Sequence, residues 1–123
     1  MARTALPIIT PLGSTPALPI TAGAAAFVFT AADVTNKNSF PCTGRELVLI
    51  ENTDSGAHTV TITSVVDGQN RTGDITTYSL AAGAFAVLGP FHNSGWQQAD
   101  GNIYLEATDA TVKFAIVRLP AVA

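Results

Sequence analysis

The stretch ENTDSGAHTVTITS, residues 51–64, constrains the fold more than any other part of the chain. A cluster of turn formers, Thr53 to Gly56, runs into a strict alternation in which Val60 and Ile62 face one way and Thr59, Thr61 and Thr63 the other. Successive side chains of a strand point to opposite faces, whereas a helix groups positions three and four apart. A period of two therefore means a strand with one buried and one wet face. A buried face needs a second layer to cover it, so the stretch implies a sheet packed on something else. With the apolar run LVLI just before it, the stretch reads as a hairpin, LVLI being apolar on both faces and hence covered on both sides.

The same pattern recurs to the end of the chain. AFVFT reads as a strand, followed by the polar connection TAADVTNKNSFPCTG, in which Thr30 and Asp33 have the spacing of a capping box for one helical turn. After the turn-rich DGQNRTGD come the strand ITTYSL, the turn AAG and the strand AFAVL. GPFHNSGWQQADGN is a long loop. In IYLEA, Ile103 and Leu105 oppose Tyr104 and Glu106, and VKFAIVRL places Val112, Phe114 and Ile116 on one side. Strands about 8 to 15 residues apart, with no amphipathic helix between them, predict an all-β fold: an antiparallel β-sandwich or jelly-roll-like domain over residues 24–123.

Residues 1–23 are different. Pro7, Pro11, Pro16 and Pro19 exclude a helix or a central strand and favour an extended arm. Disordered tails are usually polar and charged, whereas this arm carries Leu6, Ile8, Ile9, Leu12, Leu18 and Ile20, which gain by leaving water. Two roles stay open: a partner-binding arm, or an edge strand lying on its own domain. Pro7 and Pro11 also interrupt any apolar run of signal-peptide length, and Ala22 to Val28 falls far short of the ~20 residues that cross a bilayer, so a soluble protein is expected.

Composition narrows the chemistry. Of 123 residues 47% are hydrophobic and only 12% charged, against a usual charged share of about 25%. With a net charge of −3 and no basic stripe among six Lys and Arg, nucleic acid is not an expected partner. Cys42, the single cysteine, excludes an internal disulfide and reads as a small core hydrophobe; no zinc set is expected from it and two distant histidines. His58 reads as a solvent-facing polar residue. No G-x-S-x-G elbow is present, and Asp67, Asp74, Asp100 and Asp109 sit in turn contexts where an aspartate caps its own backbone. Asp67, Asp74 and His92 are the only trio an enzyme reading offers. Neither a catalytic site nor a cofactor is expected. Trp96 is either a plug for one end of the sandwich or an exposed anchor; with Tyr104 it would form the stacking surface of a carbohydrate- or receptor-binding module.

Four stretches carry a resemblance: FPCTGRELVLIENTDSGAHTVTITS, YSLAAGAFAVLGPF with its A-A-G-x-x-x-x-L-G-P-F segment, WQQADGNIYLEATDATVKFAIVRLP with its D-G-x-x-x-L-E strand, and the proline-rich arm. Together they resemble the head decoration, or cement, proteins of tailed bacteriophages over most of residues 40–120. The resemblance implies a jelly-roll-like or tulip-like domain, made in the host cytoplasm, that trimerises on the outside of the virion's capsid. It would tie neighbouring major capsid protein subunits together by binding, with no membrane or nucleic-acid contact. On that reading Leu6, Ile8, Ile9, Leu12, Leu18 and Ile20 are the capsid-binding arm.

Overall fold

A computed structural model of the chain describes residues 3–11, 26–66 and 73–119. Ten strands follow one another: β1 (Thr4–Ala5), β2 (Ile8–Ile9), β3 (Thr30–Ala31), β4 (Asn38–Pro41), β5 (Glu46–Asn52), β6 (His58–Thr63), β7 (Ile75–Leu80), β8 (Phe85–Leu88), β9 (Asn102–Ala107) and β10 (Val112–Arg118). They form two five-stranded sheets, the first ordered β1-β4-β9-β6-β7 and the second β2-β10-β5-β8, with β3 also on β10. The protein is an all-β sandwich.

The core lies where the alternating residues of both sheets meet. Phe40, Val60, Ile62, Ile103 and Leu105 of the first sheet face Val48, Ile50, Val112, Phe114 and Ile116 of the second, all at 0–1% exposure. Burying each such side chain contributes roughly 1.5–3 kcal/mol. The alternations read in HTVTIT, IYLEA and VKFAIVRL all place their apolar members inward.

The expected hairpin of residues 46–63 is not one. β5 pairs with β8 and β10, and β6 with β7 and β9, so Thr53–Ala57 arches from one sheet to the other. Among consecutive strands of the described residues only β6 and β7 pair with each other. Asn52 fixes the arch. Wholly buried, its side-chain amide is within donor reach of Gly56 O (2.9 Å), Leu80 O (3.1 Å) and Ala81 O (3.2 Å), while its Oδ1 accepts from Asp54 N (3.0 Å). One side chain thus satisfies the backbone of two sheet-to-sheet crossings, where ladder partners are lacking.

Other local expectations shift in the same way. Thr30 to Asp33 starts no helix; Asp33 Oδ1 instead accepts from Thr35 N and Asn36 N and closes a turn. AFVFT becomes a strand only at Thr30, because Phe27 to Phe29 run over the outside of the second sheet. Residues Asn93–Trp96 make one loose turn, which Ser94 (ψ 124°) and Gly95 (φ 95°) keep from being a continuous helix.

The start of the chain belongs to the sandwich. β1 runs parallel to β4 in the first sheet, and β2 parallel to β10 in the second. Between them Leu6, 3% exposed, enters the core, and its N–H donates to Ser39 O (2.8 Å). Pro7 has no N–H to leave unpaired at the crossing. Residues 4–9 therefore follow the edge-strand alternative, and add parallel pairs to an otherwise antiparallel body.

Candidate interaction surface

The outer face of the second sheet is the surface that the described residues leave least covered. Odd-numbered residues of β5 point outward, so Leu47 and Leu49 are half-buried while Val48 and Ile50 are buried. LVLI was expected to be covered on both faces; among the described residues only its inner face is. Beside Leu49 in register stand Val87 of β8 and Ala115 of β10, and beside Leu47 stands Val117, itself opposite Ile9 of β2. Four neighbouring strands thus present aliphatic side chains to the same side, with the charged pair of positions Glu51 and Lys113 at one end of it.

Aromatic residues deepen this face into a groove. Phe27, Phe29, Leu49, Phe85, Ala86 and Val87 line a groove of about 380 Å³. Phe29 links its walls, with ring centroids 5.5 Å from Phe27 and 6.4 Å from Phe85, both tilted. Phe85 is 68% exposed, Val87 58% and Phe27 45%. Large apolar side chains this open, contiguous on one face, mark a contact surface more often than chance scatter does. Nothing in the groove lining is charged. Its chemistry is that of desolvation: it offers apolar area to whatever covers it, without a group that could act on a bond.

The opposite face, of the first sheet, is polar and internally paired. Arg3 sets its guanidinium 4.2 Å from the Tyr104 ring centroid and donates to Asn38 O (3.2 Å) and Leu105 O (3.3 Å). Tyr104 donates its hydroxyl to Asp100 Oδ2 (2.7 Å), and Lys37 pairs with Glu106. One face of the Tyr104 ring is thus occupied by a cation. Trp96 packs edge-on against Phe91, 5.0 Å between centroids, and lies against the core as a partly buried plug.

The ionisable groups serve backbone or packing. Asp74 accepts from Ser64 N (2.8 Å) and Oγ (2.7 Å), Asp100 from Asn102 N (3.0 Å), and Asp109 from Thr111 N (2.9 Å) and Oγ1 (3.0 Å). Each carboxyl is held below its ordinary range by these bonds, with Tyr104 the main cause at Asp100 and the Ser64 and Thr111 amides at the other two. His58, expected to face solvent, is half-buried with Nε2 2.7 Å from Asp54 Oδ2, and that bond lowers the Asp54 pKa. Cys42 is buried, as expected of a core thiol, and donates to Asn93 Oδ1 (3.1 Å); burial raises its pKa. Asp67 lies outside the described residues, Asp74 is exposed and bound to Ser64, and His92 is exposed. Among the described residues no three His, Cys, Asp or Glu stand together as a metal set, and no helix is long and apolar enough to cross a membrane.

The six aliphatic residues of the expected arm divide. Leu6 is in the core, Ile8 packs against it, and Ile9 stands half-buried opposite Val117 on the outer face. Leu12, Leu18 and Ile20 lie outside the described residues. Sequence reasoning did not find the groove. The available signal was AFAVL, whose alternation puts Phe85 and Val87 on the face opposite Leu88, together with the aromatic pair in AFVFT.

Comparison with protein-family models, with curated proteins and with solved structures returned no match for this chain.

Proposed function

We propose that this protein is a structural component of a phage particle: a head decoration protein that binds the outside of the capsid and cements neighbouring major capsid subunits. The observation that carries the reading is the uncharged groove of Phe27, Phe29, Leu49, Phe85 and Val87, set on a sheet face that the described residues leave open. The resemblance over residues 40–120 points to the same role. Adhesion needs buried apolar area and no reacting group, and several weak contacts to a rigid shell add to a strong one. Ile9, at the margin of the same face, would extend it.

The test uses emptied, undecorated heads incubated with the purified full chain. Wild-type protein is expected to coat the heads, and the pair Phe27→Ser with Phe85→Ser to lose at least about tenfold in affinity, since each removes a large apolar side chain from a contact centre. Both positions are solvent-exposed, so the fold should survive. Undiminished coating by that variant, or none by the wild type, overturns the reading. Deleting the first 20 residues is not a clean test, because Leu6 would leave the core.

A further inference from the structure

Every sheet has two edges, and four of the five edge elements among the described residues are blunted. β1, β2 and β3 are two residues long, too short to template a partner. β7 is longer, but its register shifts between Val60 and Ile62 and Thr77 takes φ 49°, a bulge that bends the strand away from a flat ladder. β8 has neither device. Among the described residues it ends the second sheet; it carries no charge and no proline, and exposes Phe85 and Val87.

The ladder pattern tells which backbone groups of β8 lack a partner among the described residues. Asn52 N donates to Ala84 O, and Thr53 N donates to Thr111 O. In an antiparallel ladder bonded pairs alternate with unbonded ones, so even-numbered residues of β5 bond towards β8 and odd-numbered ones towards β10. The bonded pairs of β5 with β8 are then Ile50 with Ala86 and Val48 with Leu88. Phe85 and Val87 direct their N–H and C=O groups to the open edge.

We infer that β8 is a self-association edge, whose occupant is the β8 strand of a second copy related by a two-fold axis through Ala86. In that antiparallel register Phe85 of each copy is opposite Val87 of its partner. Both are bonded pairs, so four backbone hydrogen bonds form across the axis. On the outer face each phenyl ring meets a β-branched side chain, a favourable cross-strand pair. A two-fold contact brings identical residues together, and a charged strand would repel its own copy. The absence of charge from Phe85 to Leu88 removes that penalty. The second sheets of two copies join into one, and the two apolar grooves come to lie on the same side. A four-residue strand pair buries less area than a standard stable interface, so the dimer is a weak one that forms at high concentration or on a surface.

Sedimentation velocity on the full chain over a rising concentration series tests the inference without any capsid. The expected result is a concentration-dependent species of twice the 12.7 kDa chain mass. Val87→Lys should abolish it while leaving the thermal transition unchanged, because that side chain faces solvent. In a Cys42→Ser background, Ala86→Cys should form an intermolecular disulfide on mild oxidation, since unbonded antiparallel pairs hold Cα atoms about 4.5 Å apart. A wild type that stays monomeric, a trimer, or a dimer that persists in Val87→Lys overturns it. Head binding by a monomeric wild type would sink the dimer and spare the decoration role; a dimer that ignores heads would do the reverse.

Discussion

Glu46 and Arg118 face each other at the last register position of β5 and β10, with Arg118 Nε donating to Glu46 Oε2 at 2.5 Å. The carboxylate has no solvent exposure, and Thr43 supplies two more donors, its N–H at 2.7 Å and its hydroxyl at 2.6 Å. Burial alone would raise the Glu46 pKa. The bonds from Thr43 and Arg118 outweigh it, and the net shift is downward. A buried charge is tolerated here because its lone pairs are filled.

A carboxyl whose pKa is depressed on folding contributes stability above its unfolded pKa and loses it as pH falls through the folded value. Glu46 should therefore stabilise the protein fully at neutral pH and progressively less below the ordinary carboxyl value of 4.5. Glu46→Gln is expected to cost about 1–3 kcal/mol at pH 7, the range for a buried charged hydrogen bond. Its melting temperature should converge on the wild type's as the pH drops below 4. Parallel melting curves at all pH values would show that Glu46 is not the acid-sensitive group.

Leu6→Ala should cost about 2–5 kcal/mol, as for a buried leucine in a packed core. Ile9→Ala, on the half-buried outer face, should cost less than half as much. Urea denaturation of both measures the difference. Equal small effects would mean that the start of the chain does not contribute to the domain's stability.

Asn52→Leu keeps the volume of the side chain and removes the four hydrogen-bond contacts that this side chain makes. Gly56, Leu80 and Ala81 each lose an amide partner; Ala81 O keeps Ala84 N, whereas the buried Leu80 carbonyl loses a bond whose absence costs about 1–3 kcal/mol. A loss of at least about 2 kcal/mol is expected in the same denaturation assay. A neutral outcome would mean that water replaces the amide.

Gly89 has φ 108°, and a Cβ built there would lie 2.9 Å from Glu46 O, a backbone atom that cannot swing aside. Gly89→Ala should thus lower stability by about 1–3 kcal/mol through strain and contact together. Gly83, at φ 70° with open space around it, is the control. Gly83→Ala should cost only about 1–2 kcal/mol, the left-handed penalty alone.

The strands themselves were legible because a period of two is written residue by residue: HTVTIT, NIYLEA and VKFAIVR each bury the members the alternation selects. The aspartate turns at Asp100 and Asp109 were legible too, since each accepts from the amide two residues on, whereas Asp74 bonds to Ser64 across the connection between β6 and β7 and not to its own turn. The groove was not. It is assembled from Phe27, Leu49 and Phe85, residues far apart in sequence whose separate local patterns do not show that they meet.

Local alternation and turn chemistry thus determined that this chain forms one-sided strands, because those preferences are settled between near neighbours. They could not say which strands pair. The TDSGA turn serves an arch between sheets as well as it would a hairpin, and Asn52, Leu80 and Gly56 had to be brought together before the difference existed. The tertiary structure decided that partnership. With it came the destination of Leu6, the buried charge of Glu46 and the open edge of β8, because each depends on which surfaces remain once distant strands have chosen their neighbours.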